Sequence, residues 1–166
     1  MSFAGDYIFD IDGTVLDISH RLKFIVGDGA YKAGKGTPGQ KDWKAFRDPK
    51  QKRWDEPIGP MLGIMNSLLN SGAKVVVSTG RQRAEEEDTR LSLKRHIDKL
   101  DSVKFYMRSN RDRRDDYIVK SDHLDMMRAD GYNPVMVFED RPTVIAMWRL
   151  KGLLVADVSD PEKGDF

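Results

Sequence analysis

Tyr7-Ile8-Phe9-Asp10-Ile11-Asp12-Gly13-Thr14 decides how this chain is read: a short apolar run ends in two carboxylates one residue apart, followed by a turn dipeptide. Residues two apart on a strand face the same side, so pairing that persists into the first loop residue would bring Asp10 and Asp12 into one small volume. Such carboxylates repel each other unless a cation lies between them. A hard, oxygen-seeking ion such as Mg²⁺ would relieve that repulsion and leave one carboxylate oxygen free to attack phosphorus. Two plainer readings compete. Asp-Gly is a common strand-ending turn. A calcium loop also opens with spaced acids, but it needs an acid, a Gly and a Glu where this chain has Thr14, Val15 and Arg21, which disfavours it.

Whether the stretch is a turn or an active site depends on partners elsewhere. The chain has 166 residues, the size of one domain with one substantial core. Its 28 basic and 27 acidic residues leave a net charge of +1, so any basic surface must be local. The absence of cysteine excludes disulfides and thiolate metal sites. No apolar run approaches the roughly 18 residues of a membrane span, and the N-terminus lacks a basic region followed by an apolar one. A soluble, cytoplasmic protein without a membrane partner is expected.

Short apolar runs at residues 7–9, 75–77, 103–107, 135–138 and 153–158 read as strands. Between them, residues 61–69, 84–100, 117–129 and 143–150 carry amphipathic helical patterns, with breakers at Gly72 and Gly131. This alternation predicts an α/β fold, a mostly parallel Rossmann-like sheet flanked by helices, whose ligands bind beyond the carboxyl ends of the strands. Residues from about 20 to 57 break the rhythm with five glycines and then a charged stretch holding Trp43, Phe46 and Trp54. They read as a small, partly helical insertion after the first strand, a partial lid. Within it, Gly29 to Lys35 spells GxxxxGK, but the Ser or Thr and helix of a nucleotide-binding loop are replaced by Gly36-Thr37-Pro38-Gly39.

The other strand ends supply partners. After residues 75–77 come Ser78-Thr79-Gly80-Arg81, a hydroxyl, a glycine and a guanidinium where the strand is expected to exit. A hydroxyl and backbone N–H groups can hold phosphate oxygens, and an Arg fork matches them in geometry and charge. After residues 135–138 come Glu139-Asp140, one of which would complete a divalent-metal site with Asp10. Lys120 has Asp116 four residues before it, at the helical spacing that would hold its ammonium toward a phosphoryl group. Each of these alone has a bland reading as turn, helix-end charge or solvated surface. Their joint order makes coincidence a poor account.

With these residues in view, the chain resembles the haloacid dehalogenase-like superfamily of phosphotransferases, whose four motifs match Asp-Ile-Asp-Gly-Thr, Ser-Thr-Gly-Arg, Lys120 and Phe-Glu-Asp. More narrowly it resembles the 3'-phosphatase half of bifunctional polynucleotide kinase/phosphatases. Arg21 lies eleven residues after Asp10, Asp116 four before Lys120, Phe138-Glu139-Asp140-Arg141 leads into Met147-Trp148-Arg149, and the chain ends Gly164-Asp165-Phe166, each as in that group. The resemblance implies Asp10 as nucleophile and Asp12 as general acid and base. It implies Mg²⁺ held by Asp10, the Asp12 carbonyl and Asp140, with Glu139 secondary through water where the superfamily often has Asp. It further implies charge stabilisation by Thr79 and Lys120, and phosphate and substrate binding by Arg21, Gly80, Arg81 and Asp116. A kinase half is not in this sequence, so a separate 5'-kinase or ligase would complete end healing.

The expected substrate is the 3'-phosphate of a DNA or RNA end. Arg108, Arg111, Arg113 and Arg114, and Lys41, Lys44, Arg47, Lys50, Lys52 and Arg53 around the tryptophans, suit a single-stranded end, though interleaved aspartates also fit a solvated face. The same chemistry on free mononucleotides is one alternative. A non-catalytic phosphate-binding module or a phosphoacceptor receiver is another, but a receiver carries its acceptor after the third strand, where this chain has Arg108-Ser109-Asn110.

Overall fold

Ile8 and Phe9 are neighbours in the chain, both wholly buried, and they lie in different hydrophobic clusters. That split dictates the layering, since consecutive strand residues point to opposite faces and a strand covered on both sides must be apolar throughout. Residues 5–25 and 41–161 are described in a computed structural model. In chain order the main elements are β1 (Asp6–Phe9), β2 (Leu16–Asp17), α1 (Ser19–Leu22), α2 (Trp43–Phe46), α3 (Pro49–Lys52), β3 (Glu56–Pro57), α4 (Gly59–Asn70), β4 (Val75–Gln82), α5 (Glu86–Leu93), β5 (Lys104–Arg108), α6 (Asp116–Ala129), β6 (Pro134–Glu139), α7 (Pro142–Leu150) and β7 (Leu154–Asp157).

Five strands form one parallel sheet in the order β5-β4-β1-β6-β7. Phe9, Val75 and Val77 pack with Met61, Met65 and Leu69 of α4 and Leu93 of α5 on one face. Ile8, Val76 and Val137 pack with Leu124 and Met127 of α6 and Val144 and Trp148 of α7 on the other. The chain runs outward from β1 to β4 and β5, then crosses back over β1 to β6 and β7. The carboxyl end of β1 therefore sits where the strand order reverses, the place at which such sheets leave a crevice.

The expected α/β sheet is the one observed. Two boundaries differ. Ser78-Thr79-Gly80-Arg81 does not follow β4 but lies inside it, because pairing with β5 continues through an irregularity between Thr79 and Gln82. The helix expected over 84–100 is a short 3₁₀ turn at Arg83–Glu85 followed by α5, which ends at Leu93. Beyond it, Asn66 of α4 donates to the His96 carbonyl at 2.7 Å and accepts from Asp98 N at 3.2 Å, replacing helical bonds with tertiary ones. Ile97 and Leu100 stay in the core beyond the end of α5, Leu100 at the start of a second short 3₁₀ turn, Leu100–Ser102.

At the edges of the region read as an insertion, β2 just before it and β3 at its end form a two-stranded antiparallel ribbon, and α1 and α2 share a satellite cluster of Ile18, Leu22, Phe24, Ile25 and Phe46. The GxxxxGK stretch and the chain end Gly164-Asp165-Phe166 lie outside the described residues. Among the described residues no helix is long and apolar enough to cross a membrane.

Candidate active site

A polar cavity of about 520 Å³ opens at the carboxyl end of β1, lined by Asp10, Asp12, Arg21, Thr79, Gly80, Arg81, Asp116, Lys120, Glu139 and Asp140. Every residue given a catalytic, metal-holding or phosphate-binding role in the sequence reaches it, whereas Lys41, Lys44, Lys50, Arg53 and Arg111 of the basic clusters do not line it. Trp43, Phe46, Arg47 and Lys52 of the inserted segment form one rim, and Arg113 and Arg114 before α6 form another.

Asp10 keeps the register of β1 one residue further, its N–H donating to the Phe138 carbonyl of β6 at 3.1 Å. The chain then turns sharply. Gly13 has a φ of +89°, and a Cβ there would stand 1.9 Å from Asp140 Oδ2, so only glycine lets the turn close against that carboxylate. Lys120 Nζ, buried on α6, donates to Asp10 Oδ1 at 2.7 Å and to Glu139 Oε2 at 2.8 Å. Glu139 Oε2 also accepts from Trp148 Nε1 at 3.3 Å, and its Oε1 accepts from Arg141 N at 3.3 Å.

One oxygen each of Asp10, Glu139 and Asp140 lie within 4.8 Å of one another. Three carboxylates thus face one ammonium. Burial, reinforced by Glu139 and Asp140, pushes the Asp10 carboxyl well above its usual range despite Lys120. Burial and the Glu139 charge push Asp140 up to about 7. Lys120 moves the other way to its burial: the charges of Asp10 and Glu139 keep it protonated beyond its ordinary range. An all-oxygen set with surplus negative charge is the donor chemistry of a hard divalent cation, and these residues fit Mg²⁺.

Asp12 has a different environment. Its Oδ1 accepts from Arg21 Nη2 at 2.7 Å and Arg81 Nη2 at 2.5 Å, so its carboxylate lies outside the acid cluster. Burial opposes its charge, but the Arg81 and Arg21 guanidiniums outweigh burial and hold it far below the usual carboxylate range. Behind the two arginines stands Asp55, from the loop between α3 and β3, which sequence reasoning did not single out. It accepts from both. Nothing in Trp54-Asp55-Glu56-Pro57 distinguishes it from the solvated charges around it.

Thr79 is wholly buried beside these groups, and its Oγ1 accepts from Arg81 N at 3.2 Å. Gly80 packs against Asp116, whose Oδ1 would stand 2.8 Å from a Cβ. Asp116 itself corrects an expectation. Rather than holding Lys120, it pairs with Arg108 Nη2 and, at 2.5 Å, with Arg141 Nη1. Helical spacing places the carboxylate and the ammonium on one face, but Arg108 on β5 and Arg141 after β6 take the carboxylate, while Asp10 after β1 and Glu139 at the end of β6 take the ammonium.

Arg108, expected in a nucleic-acid-facing basic cluster, is largely buried in the cavity wall, donating to the Gly80 carbonyl at 3.2 Å and the Arg114 carbonyl at 2.6 Å. Arg114 bonds Asp112 and Asp122, and Lys52 pairs with Glu85. The basic rim is partly neutralised from within.

Comparison with known proteins yields consistent relatives. The family model described as the polynucleotide kinase PNKP phosphatase domain matches residues 35–166, which include Thr79, Lys120 and Asp140 and begin after Asp12. A protein of Autographa californica nuclear polyhedrosis virus described as a bifunctional polynucleotide kinase/RNA ligase is 34% identical over 77 residues, 46% of this chain and 11% of the viral protein. A chain in the structure of the Pnkp1/Rnl/Hen1 RNA repair complex superposes with a TM-score of 0.69 at 23% identity, covering 97% of this chain and 43% of its own length. A haloacid dehalogenase-like hydrolase from Streptococcus pneumoniae superposes with a TM-score of 0.60 at 14% identity, covering 96% of this chain and 88% of its own. The chain thus spans about a tenth of the viral relative and under half of the repair-complex chain.

Proposed function

The chain belongs to the polynucleotide kinase PNKP phosphatase-domain family, and from that premise we propose that it is a Mg²⁺-dependent phosphomonoesterase that removes the 3'-phosphate from DNA or RNA ends through an aspartyl-phosphate on Asp10. In this reading it is one phosphatase domain with an insertion at about 20–57 acting as a partial cap. The observation that carries it is the ion pair of Lys120 with Asp10 at 2.7 Å, in a cavity that places acids on one side and two guanidiniums on the other.

The chain's own groups suit the steps. Lys120 fixes Asp10 Oδ1, leaving Oδ2 as the attacking oxygen. Phosphate oxygens would be met by Thr79, by backbone near Gly80, and by the forks of Arg21 and Arg81. In the arrangement described here Asp12 is a carboxylate tied to those forks. A phosphate that takes the guanidiniums would free Asp12 to take up a proton from solvent, deliver it to the departing 3'-oxygen, and then take one from the water that attacks the aspartyl-phosphate. Mg²⁺ would be held by Asp10, Asp140 and the Asp12 carbonyl, with Glu139 behind them, and it would neutralise the clustered acids and draw charge from the phosphoryl oxygens.

The cavity rim with Trp43, Arg47, Lys52 and Arg113 supports a polymeric substrate over an enclosed metabolite. A kinase or ligase on a separate chain or in further sequence would complete repair, in keeping with the relatives' printed descriptions. The test is phosphate release, with and without Mg²⁺, from a 3'-phosphorylated oligonucleotide, its 5'-phosphorylated counterpart and a mononucleotide. Metal-dependent preference for the 3'-phosphorylated oligonucleotide is expected. Preference for the mononucleotide would move the substrate to free nucleotides, and no release from any of them would remove the phosphatase reading.

A further inference from the structure

Two arginines side by side are held together by two carboxylates in this cavity, and the carboxylates are not equivalent. Asp12 is 23% exposed at its side chain and lines the cavity, whereas Asp55 is 1% exposed and does not. Asp55 Oδ1 accepts from Arg21 Nε at 2.7 Å, and its Oδ2 accepts from Arg21 Nη2 at 2.9 Å, a two-point fork. The same Oδ2 takes Arg81 Nη2 at 2.7 Å, and His20 Nε2 lies 3.0 Å from Oδ1. A single carboxylate behind the cavity wall therefore ties β4, α1 and the loop before β3 to one point.

We infer that Asp55 is a positioning residue that fixes the spacing of the Arg21 and Arg81 guanidiniums, and that Asp12 is the exchangeable counter-ion an entering phosphate displaces. This rests on the phosphatase reading above. A phosphate dianion arriving through the cavity meets the guanidiniums from the side of Asp12, because Asp55 is covered by the arginines themselves. When Asp12 lets go, two buried like charges would repel and splay unless an anion stayed between them on the far side. Asp55 is that anion. Its fork on Arg21 sets orientation as well as charge, which a point charge would not do. The remaining contacts carry no charge to replace it: Arg21 Nη1 donates to the Phe46 carbonyl at 3.1 Å and its guanidinium lies 4.5 Å from the Phe46 ring centre, and Arg81 Nη1 donates to Thr89 Oγ1 at 3.3 Å.

The test uses p-nitrophenyl phosphate as a probe independent of nucleic acid, with inorganic phosphate as competitor, on the full chain with Mg²⁺ present. Asp55→Asn is expected to raise KM for the ester and the inhibition constant of inorganic phosphate together, by about tenfold each, as expected for a lost charged fork. Asp55→Glu, which keeps charge and fork one methylene further out, is expected to fall between Asn and wild type, and it supplies the same readout should the Asn variant not fold. A merely structural role would lower the melting temperature and the fraction of active molecules, leaving KM and the inhibition constant unchanged. Values within twofold of wild type in folded variants would overturn the inference. Absence of any ester hydrolysis by wild type would instead strike the phosphatase reading.

Discussion

The two walls of the cavity use the same residue types and reach opposite electrostatic states. On the β1–β6 wall, Asp10, Glu139 and Asp140 share one Lys120, and the Asp10 and Asp140 carboxyls are pushed up. On the wall formed by the insertion and β4, Asp12 and Asp55 face Arg21 and Arg81 in equal number, and the Asp12 carboxyl is pushed down. Asp10 and Asp12 are two residues apart and desolvation opposes the charge of both, so desolvation does not account for the opposite shifts. The partners do. One wall is short of a cation and fits a metal; the other is balanced and can exchange one anion for another.

Substitutions that separate charge from shape are the sharpest way to break this comparison. Asp10→Asn is expected to have the largest effect, lowering phosphate release by about 10⁴-fold or more, because an amide oxygen is no nucleophile for phosphorus. Its melting temperature without Mg²⁺ should not fall, since the ionised Asp10 is held at a cost by burial and by Glu139 and Asp140. A large loss of stability in that variant would mean that the acid wall is not in charge excess.

Lys120→Met comes next. It removes the only cation bonded to Asp10 among the described contacts and leaves Asp10 and Glu139 buried against each other. Breaking such a pair from one side costs on the order of 3–5 kcal/mol, read by a denaturation midpoint. Phosphate release should drop by about 10²–10³-fold as charge stabilisation is lost. The two variants on one wall therefore diverge, with Asn silent and Met costly in stability.

On the balanced wall, Arg81→Lys keeps the charge and loses the fork that spans Asp12 and Asp55. A decrease of about 10–10²-fold in kcat/KM is expected, smaller than for Lys120→Met because Arg21 still holds both carboxylates. If steady-state kinetics ranked Arg81→Lys above Lys120→Met, the arginine wall would carry more of the chemistry than its balanced charge implies.

This difference between walls was only half legible in the sequence. Asp10, Glu139 and Asp140 follow apolar runs, so strand pattern alone brought them to one edge, and the sheet could be read from the same runs. Thr79 and Arg81 do line the cavity but lie within the strand, since Gly80 reads as a strand exit while pairing with β5 carries the strand past it. Asp116 was assigned to Lys120 by helical spacing, a local rule that cannot see Arg108 arriving from another strand. Asp55 was invisible. It lies in a charged segment with no period, and its burial is created by the two arginines that fold over it.

The last expected effect lies beneath both walls and concerns stability alone, leaving the chemistry untouched. His123 of α6 is buried under the site, its Nδ1 3.0 Å from Ser78 Oγ on β4, and burial, followed by the nearby Lys120 charge, lowers its pKa to about 4. The unfolded chain would protonate this imidazole near its ordinary value of about 6.5, while the folded chain keeps it neutral down to about 4. Unfolding therefore takes up a proton within that window, so the stability that neutral His123 contributes is present above about 6.5 and is lost as pH falls toward 4. The full loss is on the order of 3 kcal/mol. His123→Gln retains a polar side chain without a titrating ring, so the stability gap between wild type and variant should shift against wild type as pH falls from 7 to 4. Denaturation midpoints that run parallel across that range would mean that His123 is protonated in the folded state, and that the charge of Lys120 is not felt beneath the acid wall.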